Sequence, residues 1–362
     1  MLNPSYQLPD LTSLHGLETI EVFKALAAAN RSLAELKGRA AAIPNQGILI
    51  DTLALQEAKA SSEIENIVTT QDELFQADLF PEGLESPAAK EVALYRDALK
   101  FGFDNLRQTE GLITNATIIG MFQLLKRRTD GFRQTPGTAL RNDHSGEIVY
   151  VPPQDQRDIN LAMSGLERFV NDDALSTLDP LIKMALIHHQ FESIHPFPDG
   201  NGRIGRILNV LYLTRVGLLE IPILYLSRAI NNSKGEYYRL LQYVRDTGEW
   251  KDWLIYMLRA VDETAKTTLD LVENIRQQMA TAKKRLRTEF PKIYSQDLLN
   301  NLFRHPYTRI DYVQKELNVT RQTAARYLDA LADAGILSKH QSGRNNYYIN
   351  EPLIALFLKV SE

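Results

Sequence analysis

Two apolar runs flank a short loop rich in proline and glycine, and this pattern constrains the fold more than any other feature of the chain. Leu181–Ile194 and Ile204–Leu213 both place apolar side chains at helical spacing, which predicts two helices. Pro196 and Pro198 lack the backbone N–H that a helix interior needs, so the first helix must end before them. The loop therefore connects two helices, and Gly200-Asn201-Gly202 lies at the start of the second.

The loop carries functional groups that suit phosphate. Free backbone N–H groups at a helix N-terminus bind anions, and glycines let a phosphate approach the backbone closely. Arg203 and Arg206 can donate to phosphate oxygens through their planar guanidinium groups. Asp199 offers a hard oxygen ligand for Mg2+, and His195 is a candidate general base. Residues 195–206 therefore predict a phosphate-handling site with its own base and metal ligand.

The same residues match the Fic family motif, His-Pro-Phe-x-(Asp/Glu)-Gly-Asn-Gly-Arg-x-x-Arg, at every fixed position. The chain is similar to Fic-domain proteins, most of which transfer AMP from ATP to a hydroxyl group of a target protein. The resemblance implies that a Ser, Thr or Tyr hydroxyl attacks the α-phosphate of ATP while His195 accepts its proton. It implies that Asp199 holds Mg2+ on the phosphates. It also implies a set of phosphate-binding residues, namely Gly200, Asn201, Gly202, Arg203, Ile204, Gly205 and Arg206.

An upstream segment fits a second motif of the Fic family. Residues 48–66 predict a helix, on which Ser61 and Glu65 lie four residues apart and so share one face. Ser61 to Asn66 matches the family's inhibitory-helix pattern, (Ser/Thr)-x-x-x-Glu-(Gly/Asn). The resemblance implies that Glu65 pairs with Arg206 and occupies the position of the ATP γ-phosphate, because a carboxylate competes with phosphate for the same donors. The alternative interpretation is an ordinary solvated helix end.

A β-hairpin is predicted between these two motifs. Residues 142–146 form a turn cluster, and residues 148–151 have high β-propensity. In Fic proteins such a hairpin, the flap, lies over the active site and pairs with target segments through its main chain; the alternative is a surface hairpin without a role. The resemblance assigns nucleotide binding to Ile148, Val149 and Tyr150. It assigns the same role to Tyr237, Tyr238 and Arg245, although a tyrosine pair at helical spacing is usually part of a core.

The last part of the chain resembles a winged helix-turn-helix. Its third predicted helix would present Arg321, Gln322 and Arg326, at positions where recognition helices contact DNA. Residues 283–362 contain 13 Lys and Arg against 8 Asp and Glu, a net charge of +5, which leaves −9 on the remainder of a chain whose net charge is −4. This asymmetry permits DNA binding. The alternative is a winged helix that mediates protein contacts or dimerisation.

Composition limits the class of protein. The 362 residues are 44% hydrophobic and 24% charged, values typical of a soluble globular protein with two or three domains. The absence of cysteine excludes disulfides and thiolate metal sites. Zinc is also not expected at His188 and His189, because successive helical residues point in different directions. No signal peptide and no apolar run of about 18 residues is evident, so a cytoplasmic protein without membrane contact is expected.

We therefore predict a mainly α fold, a Fic helical core with a β-hairpin flap. The predicted domains are an N-terminal helical region with the inhibitory helix (1–108), the Fic catalytic core (109–260), a linking helix (261–288) and a winged helix-turn-helix domain (289–362). The predicted function is a protein adenylyltransferase that uses ATP and Mg2+, is autoinhibited by Glu65 and docks its target protein along the flap. Removal of AMP with the help of Glu65, a DNA-binding regulator whose Fic core senses nucleotide, and a homodimer or other homo-oligomer all remain open.

Overall fold

The computed structural model describes residues 7–43, 45–70, 73–75, 86–141, 145–342 and 345–361. Within these ranges the chain is mostly helical, as the sequence predicts, and small antiparallel sheets accompany the helices. In chain order the helices are α1 (Ile20–Ala40), α2 (Gly47–Ile64), α3 (Pro87–Gln108), α4 (Asn115–Lys126), α5 (Gln156–Asn171), α6 (Pro180–Ile194), α7 (Asn201–Arg215), α8 (Ser227–Asn232), α9 (Lys234–Thr247), α10 (Lys251–Glu289), α11 (Gln296–Arg304), α12 (Ile310–Leu317), α13 (Arg321–Asp333) and α14 (Glu351–Ser361). None of the described helices combines the length and apolar character that a membrane span requires.

Two antiparallel sheets lie within the described residues. The first is the predicted hairpin, in which β1 (Leu140–Arg141) pairs with β2 (Ile148–Tyr150) and the register shifts between the two residues of β1. Part of the predicted turn cluster, residues 142–144, lies outside the described residues. The second sheet has the strand order β3-β5-β4, formed by Tyr307–Arg309, Asn345–Ile349 and Ser338–Ser342 respectively.

The chain forms two compact units that alternate along the sequence. One contains residues up to 37, 60–67 and 94–266, and the other contains 38–59, 68–93 and 267–362. The domain boundaries predicted at 108, 260 and 288 stay a prediction.

Helices α6 and α7 occupy the centre of the first unit. Every residue from Leu181 to Ile194 is buried, as is most of α7, and the apolar side chains of both helices pack within the core. Asp179 starts α6 by accepting a hydrogen bond from the backbone N–H of Leu181 at 2.8 Å. Gly205 lets the two helices approach, since a Cβ there would lie only 2.8 Å from Oε1 of Glu192. The motif loop is thus held at both ends by buried helices.

The second unit contains the three helices and the hairpin of the predicted winged helix-turn-helix. Helices α11, α12 and α13 precede the β4–β5 hairpin, and β5 pairs with both β3 and β4. The side chain of Thr320 begins α13 by accepting from the backbone N–H of Thr323 at 3.2 Å. The core of this unit is apolar and includes Leu298, Leu302, Val313, Leu328, Leu331 and Tyr348.

Candidate functional site

The motif loop begins with a sharp change of chain direction at His195. Helix α6 ends at Ile194, and His195 adopts the left-handed conformation with φ 49° and ψ 59°, which few non-glycine residues adopt. Its backbone N–H still donates to the carbonyl of Phe191 at 3.0 Å. His195 therefore closes the helix while its side chain stands at the start of the loop.

Asn201 holds the loop closed with both atoms of its amide. Its Oδ1 accepts from the backbone N–H of Phe197 at 2.9 Å, and its Nδ2 donates to the carbonyl of Phe197 at 2.8 Å. Gly200, at φ 79°, supplies the left-handed turn before α7. The side chain of Asn201 therefore orders the loop, and its predicted phosphate contact, through the backbone at the start of α7, stays a prediction.

His195 is held in its neutral form. The pKa of His195 is lowered to about 4, chiefly by burial and then by the positive charges of Arg245 and Arg133; the backbone of Glu192 and the charge of Asp199 oppose this shift. A neutral imidazole can accept a proton at pH 7, as a general base must. His195 is therefore unprotonated at neutral pH, the form from which a general base acts.

Asp199 lies at the exposed edge of the loop, with 64% of its side chain accessible. Burial alone would raise the pKa of the Asp199 carboxyl, but the hydrogen bond and the positive charge of Lys126, whose Nζ lies 2.6 Å from Oδ2, hold it below its usual value. Within the described part of the chain no three acidic or histidine side chains cluster as a metal cage. One ionised carboxylate fits a Mg2+ ion that brings phosphate and water ligands with it.

Glu65 joins two arginines of the motif. Its Oε2 lies 2.6 Å from Nε of Arg203, and its Oε1 accepts from Nη2 of Arg206 at 3.0 Å. Burial disfavours the charged form of Arg206, but the adjacent carboxylate raises the pKa of its guanidinium above the usual value. Gly202 makes room for this contact, because a Cβ there would lie 2.9 Å from both Glu65 Oε1 and Arg206 Nη1. The predicted partner Arg206 is thus in place, and Arg203 is a second, unpredicted one.

Ser61 and Asn66 complete this arrangement. Ser61 accepts twice from Arg206, through Oγ from Nε at 2.8 Å and through its carbonyl from Nη2 at 2.9 Å. After α2 the chain turns at once: Asn66 has φ 62°, and the N–H of Ile67 donates back to the carbonyl of Ser62 at 3.0 Å. Asparagine and glycine tolerate this left-handed conformation, which explains the last position of the segment.

The flap is anchored to α6 by its last strand residue. The hydroxyl of Tyr150 donates to the carbonyl of Ser193 at 2.8 Å, and the guanidinium of Arg245 lies 4.1 Å from the centre of its ring. Arg245 also donates through Nε to Oγ of Ser193 at 3.0 Å. Both side chains are buried and contact α6, and the nucleotide contacts predicted for Tyr150 and Arg245 stay a prediction. Ile148 and Val149 are only half-buried.

The two predicted tyrosines differ in their surroundings. Tyr237 is fully buried and its hydroxyl lies 2.8 Å from Nε2 of His188, whereas 47% of Tyr238 is exposed. Of the pair, only Tyr238 presents its ring to solvent, and the nucleotide contact stays a prediction for both. His189 is buried as well, with Nε2 3.1 Å from the carbonyl of Leu241, which agrees with the core role expected for both histidines.

Ile204 and Gly205 do not face the loop. Ile204 is completely buried, and its backbone N–H already donates to the carbonyl of Gly200 at 3.1 Å. Gly205 lies against α6, where its carbonyl is 3.3 Å from Nδ1 of His188. Gly205 thus packs against α6, and the phosphate contacts predicted for Ile204 and Gly205 stay a prediction.

Comparison with known proteins decides the family. A model described as Fic/DOC family N-terminal matches residues 23–104, one described as Fic/DOC family matches 113–213, and one described as Protein adenylyltransferase SoFic-like, C-terminal domain, matches 278–353. The chain belongs to the Fic family.

Curated Fic relatives share part of their length with this chain. Protein adenylyltransferase Fic of Drosophila erecta is 30% identical over 163 residues, which are 45% of this chain and 31% of the relative. A probable protein adenylyltransferase of Aquifex aeolicus is 31% identical over 180 residues, 48% of this chain and 51% of the relative. The chain thus spans a third to a half of these curated relatives.

Solved Fic structures share the fold. A Fic family protein from Desulfovibrio desulfuricans aligns with a TM-score of 0.55 at 19% identity and covers 92% of this chain and 96% of that chain. Fic-1 from C. elegans aligns with a TM-score of 0.54 at 19% identity and covers 70% of this chain and 74% of that chain.

The sequence did not indicate two basic residues that contact the motif loop. Lys126 ends α4 and contacts Asp199, and Arg133 lies in the segment between α4 and β1, where it contacts the start of the motif loop. A lysine in the last turn of a helix resembles an ordinary C-terminal charge, and a single arginine in an irregular segment has no periodicity. Neither position carries a local signal, because both partners are distant in sequence.

The residues predicted to contact DNA lie on the surface of α13. Arg321, Gln322 and Arg326 are all exposed. Nη1 of Arg321 pairs with Oδ1 of Asp311 at 2.7 Å, and the guanidinium of Arg326 lies 5.8 Å from the ring centre of Tyr327. The exposure required for a nucleic-acid contact is therefore present.

Proposed function

We propose that this Fic-family protein transfers AMP from ATP to a hydroxyl group of a protein. The observation that carries the proposal is the combination of a neutral His195 with two buried arginines, Arg203 and Arg206, whose side chains hold a carboxylate. A carboxylate and a phosphate compete for the same guanidinium donors. The relatives named protein adenylyltransferase support the same reaction.

In the proposed reaction the hydroxyl oxygen of the target attacks the α-phosphorus of ATP, and the bond from that phosphorus to the bridging oxygen of the β-phosphate breaks. His195 takes the hydroxyl proton, and diphosphate leaves. Arg203 and Arg206 bind the β- and γ-phosphates, and backbone N–H groups at the start of α7 bind phosphate oxygens. Asp199 would hold Mg2+, which supplies charge neutralisation on the phosphates when bound. The protein contributes positioning and electrostatic stabilisation.

We propose that the conformation with Glu65 on both arginines is inhibited. The carboxylate occupies donors that the γ-phosphate needs, so ATP can bind productively only when Glu65 leaves. The target segment pairs with the flap, whose sheet has two strands within the described residues.

Removal of AMP is a second candidate. Glu65 keeps 22% of its side chain exposed, so water can reach the carboxylate from solvent. We propose DNA binding through α13 as an additional role, on the basis of the exposed Arg321, Gln322 and Arg326.

Intact mass spectrometry after incubation with ATP and Mg2+ tests the transfer. The variant to use is Glu65→Gly, because without the carboxylate Arg203 and Arg206 can bind ATP. The protein is incubated with a cell lysate and α-labelled ATP. Label on this chain or on a lysate protein supports the proposal, provided that the same variant with His195→Ala leaves both unlabelled. Absence of label from every protein with Glu65→Gly would overturn it.

A further inference from the structure

Arg133 is a buried cation outside the motif, with only 4% of its surface exposed. It donates from three of its nitrogens to main-chain carbonyls: from its backbone N–H to Pro196 at 2.8 Å, from Nε to His195 at 2.9 Å, and from Nη2 to Pro153. Arg133 therefore forms hydrogen bonds with the end of the flap and with the first two residues of the motif loop.

The carbonyl of His195 lies where the chain leaves helix α6. The left-handed conformation turns the carbonyl of His195 out of the α6 hydrogen-bond ladder, and a partly buried carbonyl needs a donor. Nε of Arg133 supplies that donor, while the N–H of His195 remains bonded to the carbonyl of Phe191. With the groups on both sides of its Cα held, the direction of the Cα–Cβ bond of His195 is set by these two contacts.

The contact with Pro153 links the same guanidinium to the flap. Pro153 follows β2 by three residues, and β2 itself is anchored through Tyr150 to Ser193 on α6. Beside Arg133, the ring of Phe132 packs on Phe197 of the motif with ring centres 5.4 Å apart. The segment around Arg133 is thus fixed against the loop by apolar packing as well as by hydrogen bonds.

We propose that Arg133 is a positioning residue that sets the imidazole of His195 relative to the flap, and hence relative to the hydroxyl group of the docked target. This inference rests on the proposed transfer of AMP. A planar guanidinium has donors in a fixed fork, so it can hold two carbonyls at a defined separation, whereas a lysine ammonium is a single point of attachment. A displacement of about 1 Å in a catalytic group can cost about 10²-fold in rate.

The charge of Arg133 has a separate, measurable effect. The charged groups that act on His195 are Arg245 from α9, Arg133 from its own segment and Asp199 from the motif loop, and the backbone of Glu192 on α6 adds a hydrogen bond. Both arginines lower the pKa of His195. Removing the charge at residue 133 therefore raises the pKa of His195, whereas Arg133→Lys keeps the charge and loses the fork.

The experiment uses the full chain with Glu65→Gly as the parent and adds Arg133→Lys, Arg133→Gln or the exposed control Arg168→Gln. For each protein, kcat and KM for ATP are measured across pH, and the His195 resonance, assigned with His195→Ala, is titrated by NMR. We expect both Arg133 variants to lower kcat by about 10²-fold with KM for ATP unchanged. Only Arg133→Gln should move the His195 titration to higher pH.

The outcomes separate the inference from the proposed function. Unchanged kcat and an unchanged His195 titration in both variants would overturn the role of Arg133 even if the parent transfers AMP. A parent without transfer would instead overturn the proposed function, while the NMR titration still reports on the contact. If thermal melting shows that Arg133→Gln does not fold, Arg133→Lys decides the matter, and a kcat equal to that of the parent rejects the proposal.

Discussion

Oε2 of Glu65 lies 2.6 Å from Nε of Arg203, and Oε1 of the same carboxylate binds Arg206. One carboxylate directly after α2 thereby pairs with two buried cations of the motif and balances one of their two charges. Removing one partner of a buried ion pair leaves the other charge uncompensated, at a cost of about 3–5 kcal/mol. The phosphates of ATP would bring negative charge to the same two guanidinium groups. The carboxylate of Glu65 and the phosphates therefore compete for one position.

Glu65→Gly should raise AMP transfer at least about tenfold above the parent, a change that requires only about 1.4 kcal/mol of the interaction to be released. Arg206→Ala should not mimic it, because that change removes a donor that ATP needs, and the double variant should resemble Arg206→Ala. The measurement is AMP incorporation per protein. Glu63→Gly, two residues earlier on α2, controls for disturbance of the helix end; equal rates for Glu65→Gly and the unaltered chain would show that Glu65 is not inhibitory.

His195→Ala, placed in the Glu65→Gly protein, should lower transfer by about 10²–10⁴-fold and leave ATP binding intact. Because the pKa of His195 is lowered to about 4, the base stays unprotonated through neutral pH. The rate of AMP transfer by the Glu65→Gly protein should therefore not depend on the protonation of His195 near neutral pH. The rate should fall as pH approaches 4. Rate–pH profiles and ATP titration by calorimetry check both statements. A loss of rate that already begins near the usual histidine pKa would contradict the lowering of the His195 pKa by burial.

Asp199→Ala, in the same background, should abolish transfer together with the dependence of ATP binding on Mg2+, because the carboxylate is the motif's own metal ligand. Calorimetric ATP titrations with and without Mg2+ measure this directly. Asp130→Ala is the matched control, since Asp130 is an exposed carboxylate paired with Arg128. A Mg2+ effect on ATP binding that survives in Asp199→Ala would assign the metal to other ligands.

Glu192 should make the protein less stable as pH rises. Burial is the main reason that the pKa of Glu192 is raised to about 7; Glu65 adds to the shift, and Arg206 and Arg245 oppose it. The folded state therefore holds a proton that the unfolded state has already lost. The stability that this proton contributes is fully present below the pKa of Glu192 in the unfolded chain, and it is lost as pH rises through about 7. It is on the order of 3 kcal/mol.

Glu192→Gln should accordingly increase the free energy of unfolding more at pH 8 than at pH 5, relative to the unaltered chain. Urea denaturation at the two pH values measures the difference, and Glu18→Gln on the surface serves as the control. The same gain at both pH values would mean that Glu192 is ionised in the fold at each of them.

Arg321→Ala and Arg326→Ala should weaken DNA binding and flatten its dependence on salt, because each lost phosphate contact removes about one released counterion. Fluorescence anisotropy at several salt concentrations is the appropriate measurement. Arg276→Ala on α10 is an exposed control from the same compact unit. If the unaltered chain has no DNA affinity at low salt and truncation near residue 288 changes the oligomer size, the C-terminal unit mediates protein contacts instead.

The sequence by itself determined the elements around the site. The apolar spacing and the prolines of the motif located α6, the loop and α7, and the resemblance of Ser61 to Asn66 to the family's inhibitory motif indicated the carboxylate that meets Arg206. These features depend on neighbouring residues: helix periodicity, the missing N–H of proline, and the tolerance of asparagine for a left-handed turn.

Only the tertiary structure decided which of the candidate side chains face the site. The resemblance assigns nucleotide contacts to Tyr237, Tyr150 and Arg245, and the structure shows all three buried against α6 or its neighbours. Arg133 and Lys126 carried no local pattern and nevertheless contact His195 and Asp199. The physical reason is that the direction of a side chain and the charge around it depend on packing between segments far apart in sequence, which neither periodicity nor spacing encodes.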